Sequence, residues 1–413
     1  MEWKRIRLGD YISIKSGLAY SGSKIGKGDS VLLGMGCVSY KDKFVETGAR
    51  PYDDVCDDRF VVKPGDIVLA TRQQSDNLPI LAMPAVIPQC YQGKRVIFGT
   101  NLYKVENNSV ISNKFLFWLF KHQHYVNYIA GVKSGTAVQM VTKKNVEDYK
   151  FLCPPANVRD SISNILWTYD NLIENNNKRI RLLEQMAENL YKEWFVRFRF
   201  PGHEKTEFEN GLPKSWSIKK LGEFIKFERG VGYGSKDIID GENVLLSMNN
   251  IRPYGGFKRD YSRLYSGKFK EFQKVNEGDL IMSITDMTQD RRIIGYTGIV
   301  PPGKDNRIIC THLVKLSSEI SHTYFLNGLF NYSNLSRIIA ERATGANVLG
   351  LTADILKGVK TLLPPTELQS MYVTKVTPII EECFSLQDAN DNLARQRDLL
   401  LPRLMSGKLE VNI

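Results

Sequence analysis

The chain has 413 residues, 42% hydrophobic and 24% charged, and its 56 Lys and Arg against 45 Asp and Glu give a formal charge of +11. This length exceeds one ordinary hydrophobic core, so two or three domains are expected, and short apolar runs without a signal peptide exclude a membrane span and predict a cytoplasmic protein. The basic surplus favours a polyanionic partner such as nucleic acid, the alternative being a basic protein with no such partner.

Residues 1–156 are predicted to form a first α+β domain. It opens with Trp3 and the run Leu8-Gly9-Asp10, and it closes at Pro154-Pro155. The run Asp66–Ala70 leaves a Gly-Asp turn and is typical of a strand. Residues 113–129 are predicted to form one helix.

Residues 157–200 are predicted to form a first long helix, because residues 158–199 contain neither Pro nor Gly. Apolar residues recur there with the three-four alternation of a coiled coil. The stripe comprises Ile180, Leu183, Ala187, Leu190 and Trp194, extended towards the N-terminus by Leu172 and Asn176. A helix of about 40 residues spans about 60 Å, which is more than one turn of DNA.

The end of this helix, residues 190–200, is both charged and aromatic. It carries too many large side chains for all of them to be buried against one partner helix. Two explanations are open: a further protein surface, or a local core shared with the following domain.

Residues 201–366 are predicted to form a linker and a second domain that repeats the first. Trp216 and Leu221-Gly222 repeat Trp3 and Leu8-Gly9 at an offset of 213 residues. Later landmarks slip slightly, since Thr311 matches Thr100 at an offset of 211 and Pro364-Pro365 match the first Pro-Pro pair at 210. The period is too long for a solenoid, so the chain contains a duplicated domain. Residues 278–283 are predicted to form a strand and residues 321–342 a helix.

Residues 367–413 are predicted to form a second long helix and a C-terminal tail. The stripe repeats there as Cys383, Leu386, Asn390, Leu393, Arg397, Leu400 and Leu404. Because an apolar stripe of this length is unstable in water, we expect the two stripes to pack together. Polar residues at Asn176, Asn390 and Arg397 would then fix the register. The alternative is that each helix packs only on its own domain.

The cysteines and histidines form no spacing typical of a metal site. The six cysteines are interpreted as buried, reduced thiols. His122 and His124 lie two residues apart on a predicted helix, so their side chains are expected to point in different directions. No metal site and no cofactor are predicted for this chain.

Three features resemble the specificity subunits of type I restriction–modification systems. The first is the Trp…Leu-Gly opening of each half together with its Pro-Pro end. The second is the segment from Tyr169-Asp-Asn-Leu through Trp194-Phe195 to Phe200-Pro-Gly202. The third is the C-terminal run Leu399-Leu-Leu-Pro-Arg-Leu. The resemblance extends over essentially the whole chain.

The resemblance implies two α+β target recognition domains, each reading one half of a split site in double-stranded DNA. It implies that the long helices pack antiparallel as a coiled coil, set the spacing and dock two modification subunits, with restriction subunits joining the complex. S-adenosylmethionine would be bound by the modification subunits, which methylate adenine N6. The specificity subunit itself would be non-catalytic.

Candidate DNA-binding residues lie in loops that occupy equivalent positions in the two copies but differ in sequence. Base reading needs Arg, Gln, Asn, Thr or Asp in a groove, and phosphate contacts need Lys or Arg. The loops after the Gly-Asp strands offer Arg72, Gln73, Gln74 and Asn77, and Thr285, Asp286, Thr288, Gln289, Arg291 and Arg292. A second, glycine-containing pair of loops offers Thr136, Gln139, Lys143 and Asn347, and Lys24 and Lys236 are further candidate phosphate ligands. Ordinary surface loops and solvated lysines are the alternatives.

No constellation of residues in the chain supports catalysis. The Pro-Pro pairs lack the polar and aromatic neighbours of an amino-methyltransferase loop, and residues 22–28 depart from a phosphate-binding loop. The leading hypothesis is therefore a DNA specificity module within a methyltransferase complex. The alternatives are a DNA-binding regulator or a protein-interaction scaffold acting without a methyltransferase.

Overall fold

The computed structural model describes residues 3–53, 56–74, 80–238, 241–259 and 263–411. The chain divides into two compact units. The first comprises residues 1–175 and 389–413, and the second comprises residues 176–388. Each unit therefore joins one copy of the duplicated domain to one segment of each long helix.

The first unit contains two four-stranded sheets flanked by helices. Its strands are β1 (Lys4–Arg7), β2 (Ile12–Ser16), β3 (Ile25–Leu33), β4 (Ala49–Tyr52), β5 (Val61–Val62), β6 (Ile67–Ala70), β7 (Arg72–Gln73), β8 (Pro84–Val86), β9 (Val96–Phe98), β10 (Leu102–Asn107), β11 (Gln139–Met140) and β12 (Lys150–Cys153). Its helices are α1 (Asn113–Lys121), α2 (Gln123–Val132), α3 (Lys143–Glu147) and the beginning of α4 (Ala156–Tyr191).

The two sheets of the first unit differ in strand direction. One has the order β2-β10-β6-β8 and is antiparallel throughout. The other has the order β4-β3-β9-β5, with β3 parallel to β9. Ser112 caps α1, and residues 115–120 of that helix are all buried in the core. The strand expected after the Gly-Asp turn is β6, and Gly65 makes the turn with a φ of +88°.

The second unit repeats this arrangement. Its strands are β13 (Phe208–Glu209), β14 (Leu212–Pro213), β15 (Ser217–Lys220), β16 (Lys226–Arg229), β17 (Asn243–Leu246), β18 (Arg263–Tyr265), β19 (Lys274–Val275), β20 (Leu280–Ser283), β21 (Thr285–Asp286), β22 (Thr297–Ile299), β23 (Asn306–Ile309), β24 (Leu313–Ser317), β25 (Leu349–Gly350) and β26 (Lys360–Leu363). Its helices are α5 (Thr323–Asn331), α6 (Leu335–Glu341), α7 (Ala353–Gly358) and α8 (Thr366–Met405), whose last residues belong to the first unit.

Sheet topology confirms the duplication and the α+β class. The antiparallel sheet β16-β24-β20-β22 matches β2-β10-β6-β8 strand for strand. The mixed sheet β18-β17-β23-β19 matches β4-β3-β9-β5, including its single parallel pair, β17 with β23. The two copies therefore share one fold although their loops differ.

Within each unit, the segments of α4 and α8 pack together and run antiparallel. In the first unit, Leu166 of α4 lies in one buried cluster with Leu401 and Leu404 of α8. In the second unit, Ile180 packs with Cys383 and Leu386. Tyr191, further along α4, makes an edge-to-face ring contact with Tyr372, which lies earlier on α8. Partner numbers thus fall as residue numbers rise, and the expected pairing of the stripes is confirmed.

One position of the predicted stripe was wrong. Leu172 is 46% exposed, whereas Ile173 is half-buried. Ile173 lies three residues before Asn176, which preserves the three-four alternation that Leu172 breaks. The buried polar residue of the stripe is Arg397, which is 7% exposed and pairs with Asp170.

The aromatic end of α4 forms a local core with the domain that follows it. Helix α4 ends at Tyr191 and continues as one π-helical turn, Lys192–Val196. Trp194, Phe195 and Phe200 are buried in the same cluster as Trp216 and Phe325. Of the two explanations left open by the sequence, the local core is therefore the one that the structure contains.

The single helix predicted in each domain is broken in two. His122 separates α1 from α2 with an extended backbone (φ −70°, ψ 138°), and residues 332–334 separate α5 from α6. Because of this break, the rings of His122 and His124 stack with centroids 5.2 Å apart, so the expectation that they point apart was wrong. Burial lowers the pKa of His122 to about 4, so its ring is neutral at physiological pH.

The six cysteines are all free thiols, but they are not all buried. Cys37, Cys153, Cys310 and Cys383 are buried as expected. Cys56 is half-buried and Cys90 is exposed, which corrects the prediction for these two.

Candidate DNA interface

The two loops predicted separately in the first unit lie side by side. Strand β7, which follows β6, pairs antiparallel with β11, so that Gln73 faces Gln139 and Arg72 faces Met140. The amide Nε2 of Gln73 donates to Oε1 of Gln139 at 2.6 Å. Loops about 65 residues apart in the chain thus form one continuous surface, which we call the first loop pair (residues 71–74 and 134–143).

The second unit has the same arrangement, which we call the second loop pair (residues 285–292 and 344–350). Strand β21 pairs antiparallel with β25, with Asp286 opposite Leu349. The amide Nε2 of Gln289 donates to the carbonyl oxygen of Ala346 at 2.9 Å. The structure therefore brings both predicted loops together in each copy.

Gln73 and Asp286 occupy equivalent positions, and both are buried, with exposures of 5% and 2%. The Oε1 of Gln73 accepts from the backbone N–H groups of Ile80 and Leu81 at 3.1 and 3.0 Å. The carboxylate of Asp286 accepts from the N–H of Thr288 at 2.8 Å and from the N–H of Ile293 at 3.1 Å. Each side chain thus holds its own loop in shape from within, with its acceptor oxygens directed at the loop's own N–H groups.

Polar residues beside each anchor are exposed. In the first loop pair, Arg72 and Gln74 are exposed, whereas Asn77 lies outside the described residues. Alternation along β7 explains why Arg72 and Gln74 face outwards while Gln73 faces inwards.

In the second loop pair, Gln289 and Arg292 are exposed, and Arg292 pairs with Asp290 at 2.5 Å. Thr288 is exposed and donates its hydroxyl to Asp286, while Thr285 is half-buried and donates to the sulfur of Met248 at 3.8 Å. Arg291 has a φ of +54°, and its Nε is buried with no hydrogen-bond partner among the residues that the structure describes. The exposed polar residues of the two loop pairs therefore differ in both type and number.

Each loop pair ends in a tightly closed tip loop, residues 134–140 in the first unit and 344–350 in the second. Two backbone hydrogen bonds join Ser134 to Met140, and two join Thr344 to Gly350. Gly135 has a φ of +92° and Gly345 a φ of +138°. A Cβ atom on either glycine would lie within 2.2 Å of the carbonyl oxygen of Val138 or Val348, so these tips require glycine.

The predicted residues of the tip loops are mostly exposed. Thr136 and Asn347 are exposed, while Gln139 is half-buried and also accepts from Nζ of Lys133 at 3.1 Å. Lys143 is exposed at the first position of α3, after the Thr142 cap. A cation at that position is available to a phosphate outside the protein.

Lys24 and Lys236 lie elsewhere in their units. Each is exposed in a short 3₁₀ turn, Gly22–Lys24 or Ser235–Asp237, that precedes the mixed sheet. The two lysines lie in equivalent turns, one position apart, and not on the strands that form the loop pairs.

Sequence reasoning missed the apolar residues of the two loop pairs because it considered only polar side chains there. Val138 and Met140 are each 40% exposed, Met287 is 65% exposed and Val348 is 43% exposed. The internal repeat could have revealed the two valines, since it aligns Val138 with Val348.

A half-buried tyrosine supports the first loop pair from behind. Tyr103 of β10 donates its hydroxyl to the carbonyl oxygen of Val141 at 3.2 Å, beside the tip loop. Burial raises the pKa of Tyr103, and the nearby Arg72 guanidinium opposes that shift. The hydroxyl therefore remains a donor at physiological pH.

The described residues contain no group of three or more His, Cys, Asp or Glu side chains able to hold a metal ion. None of the described helices combines the length and apolar character that a membrane span requires.

Residues 1–185 match the family model described as the type I restriction modification DNA specificity domain. The chain is 24% identical over 327 residues to the MjaIX type I restriction enzyme specificity subunit of Methanocaldococcus jannaschii, covering 74% of this chain and 71% of that protein. It is 21% identical over 426 residues to the MjaVIII specificity subunit of the same organism, covering 99% and 93%.

A solved structure supports the fold. The S subunit of a type I restriction–modification system from M. genitalium superposes with a TM-score of 0.56 at 15% identity, covering 98% of this chain and 96% of that one. The duplicated domains, the paired long helices and these matches confirm the resemblance noted in the sequence. Residues 1–185 thus match the type I DNA specificity domain, and the chain is similar over 74% and 99% of its length to two type I restriction enzyme specificity subunits.

Proposed function

We propose that each unit reads one half of a bipartite site in double-stranded DNA through its loop pair. One observation carries this proposal. The two loop pairs are built on the same strands and closed by the same glycine-containing tip loop, yet they expose different residues. Two domains that bind different base sequences need the same backbone structure with different polar side chains at the DNA surface.

The charge of the chain supports a phosphate-rich partner. The formal charge is +11, and the loop pairs contribute the exposed cations Arg72, Lys143 and Arg292. Cations at a DNA surface replace condensed counterions, so binding is expected to weaken steeply as salt is raised. A protein-interaction scaffold would instead be largely insensitive to salt.

The helices are proposed to set the spacing between half-sites and to dock two modification subunits, with restriction subunits completing the complex. Exposed apolar side chains support a docking role. Leu172 and Leu399 are 46% and 56% exposed in the first unit, and Leu182 and Met186 are 61% and 54% exposed in the second. Such side chains on a helix surface mark candidate protein contacts. In this scheme the chain is non-catalytic, and S-adenosylmethionine binds to the modification subunits.

The first experiment is to map DNA methylation. The chain is expressed with its candidate modification subunit in a methylation-free host, and N6-methyladenine is located by modification-sensitive sequencing. A split, asymmetric motif that vanishes when the chain is omitted is expected. No new methylation from a stable complex with an active methyltransferase would favour the scaffold or the regulator instead.

Loop substitutions assign each half-site to a unit. Arg72→Ala with Gln74→Ala is expected to relax one half of the motif, and Gln289→Ala with Arg292→Ala the other half. Lys205→Ala, in the segment between the domains, serves as a control that removes a cation and leaves both halves unchanged. Loss of complex assembly in the loop variants would contradict the assignment.

The spacing proposal has its own test. Inserting one heptad into each long helix is expected to add about 10 Å of helix, which corresponds to about three base pairs. The methylated motif should then have a longer gap between unchanged half-sites. An unchanged gap would contradict the spacer role.

A further inference from the structure

Each tip loop exposes a valine at the equivalent position. Val138 is 40% exposed and Val348 is 43% exposed, although valine is among the residues most often buried in proteins. The loop neighbours differ between the copies, with Thr136-Ala137 before one valine and Ala346-Asn347 before the other. An exposed β-branched residue is thus common to two loops that otherwise diverge.

Folding of the tip loop does not explain these valines. The loop is closed by two backbone hydrogen bonds and by a glycine with positive φ, which makes no use of the valine side chain. Neither valine belongs to a hydrophobic core cluster among the described residues.

The position of the valines identifies the molecule that covers them. They lie in the same loop pairs as Arg72 and Gln74 in the first unit, and as Gln289 and Arg292 in the second. These polar residues suit the edges of bases and the phosphates beside them. The valines therefore lie where DNA would be contacted.

We propose that Val138 and Val348 each pack against the 5-methyl group of a thymine in the major groove, so that each half-site contains an A·T pair at this position. The inference rests on the proposed function, in which each unit reads one half-site. The thymine methyl is an apolar group that base edges present in the major groove, and the minor groove presents no methyl group. Arg72 and Gln74 on one side, and Gln289 and Arg292 on the other, then read neighbouring positions that differ between the halves.

The test replaces each thymine of the mapped site, one at a time, by deoxyuridine, which lacks only the methyl group. The probe is a duplex oligonucleotide, and the protein is the full-length chain in the complex used for methylation mapping. One thymine in each half-site is expected to lose about fourfold in affinity on replacement, the effect of one buried methyl-sized group. Val138→Ala should abolish this sensitivity in one half-site only, and Val348→Ala in the other only.

Val110→Ala is the matched control, since Val110 is 87% exposed in the first unit outside the loop pair and should leave both sensitivities intact. Val138→Thr, which keeps the shape and replaces one methyl by a hydroxyl, should reduce the sensitivity without altering the fold, as judged by circular dichroism. Specific binding with no thymine sensitive to demethylation would overturn this inference and leave the bipartite reading intact. Equal deoxyuridine sensitivity in the wild type and in both valine-to-alanine variants would also overturn it. Absence of sequence-specific binding would instead overturn the proposed function.

Discussion

The two units share one fold, but different side chains lie at equivalent positions where each domain packs on the long helices. In the first unit, Asp170 of α4 and Arg397 of α8 form a buried ion pair, with Oδ1 and Nη1 2.5 Å apart. At the offset of 210 residues that relates the two helices, the same positions are Ile380 and Ala187. Both lie in the apolar cluster of the second unit.

The difference extends to the helix that lies against each pair. In the first unit, the Arg397 guanidinium lies 5.6 Å from the ring centroid of Trp118. The residue equivalent to Trp118 is Gly328, where a Cβ would lie 2.4 Å from the ring of Tyr191. In the first unit the large ring at this contact is Trp118 of the domain helix α1. In the second unit it is Tyr191 of the long helix α4, which packs against a glycine of α5.

The loop that touches α1 or α5 shows the same exchange. Lys121 donates from Nζ to the carbonyl oxygens of Tyr40, Lys41 and Asp42 at 3.0 to 3.3 Å. Its equivalent, Asn331, instead holds β22 by hydrogen bonds to the backbone of Thr297. Backbone topology is therefore maintained between the copies, while the charged Asp170, Arg397 and Lys121 of the first unit are replaced at the equivalent positions by uncharged residues in the second.

The largest expected effect comes from breaking the buried ion pair. Arg397→Met leaves the Asp170 carboxylate buried without its cation, which is expected to destabilise the first unit by about 3–5 kcal/mol. Asp170→Ile together with Arg397→Met copies the apolar solution of the second unit and should recover most of that loss. Hydrogen exchange of residues 156–175, measured in denaturant, reports the local free energy of opening.

Arg179→Met is the matched control for the ion pair. Arg179 pairs with Glu382 at 2.8 Å between the same two helices, but its side chain is 52% exposed, so the loss should be at most about 1 kcal/mol. A double variant as unstable as Arg397→Met would show that the pair is not interchangeable with apolar packing.

The next effect concerns the residues that hold each loop pair from within. Asp286→Ala removes the acceptor of the backbone N–H groups of Thr288 and Ile293, and Gln73→Ala removes that of Ile80 and Leu81, at a cost of about 1–3 kcal/mol of local stability. The charged anchor should cost more, because hydrogen bonds to a carboxylate are stronger. Methylation mapping should show the half-site of the altered unit relaxed. Gln74→Ala should change base preference without faster hydrogen exchange in the loop. Faster exchange there would show that Gln74 also stabilises the loop, as Gln73 does.

The tip glycines are expected to have an effect of about 1–3 kcal/mol, confined to their loops. Gly135→Ala and Gly345→Ala each force a Cβ against a carbonyl oxygen, so each should weaken binding to one half-site only. Gly131→Ala is the control of opposite sign. Gly131 lies in α2 with open space around it, so alanine there should stabilise the helix by about 0.5–1 kcal/mol and leave DNA binding unchanged. Equal loss of both half-sites in either tip variant would show that the tip loops do not act separately.

Repetition made most of this architecture predictable. The offsets of 213 to 210 residues revealed the duplicated domain, and heptad spacing revealed the paired helices. The candidate loops were predicted because they follow strands whose Gly-Asp turns are visible in the sequence. Their pairing was not predicted, since the β7–β11 ladder joins segments far apart in the chain by only two residues on each side.

Side-chain direction was the other limit. Gln73 and Asp286 have the same residue types as exposed base readers, and only the alternation of a short strand turns them inwards. Leu172 was assigned to the helix stripe for its apolar character, whereas the geometry of α4 selects Ile173. Asp170 and Lys121 have charged side chains that sequence reasoning places at the surface by default, and their burial depends on partners more than 40 residues away.

The last expected effect is a pH dependence confined to the first unit. Burial lowers the pKa of Lys121 to about 8 from an ordinary value of 10.5, with Asp170, Asp42 and Asp398 opposing the shift and Arg397 reinforcing it. Between these two values the unfolded chain holds one proton more than the folded chain at this residue. Stability should therefore rise with pH from about 8 to 10.5, and the contribution should be lost as pH falls through that window.

Lys121→Met removes this contribution and should flatten the rise in the stability of the first unit over that pH range. Lys114→Met is the matched control, because Lys114 is an exposed lysine of the same helix. Subtracting the two denaturation profiles cancels buried tyrosines such as Tyr125, whose raised pKa acts in the opposite direction above pH 10. The second unit carries Asn331 at this position, so hydrogen exchange of α5 should show no difference between the two variants. A difference in α5 equal to that in α1 would mean that the charge at Lys121 is not a local property of the first unit.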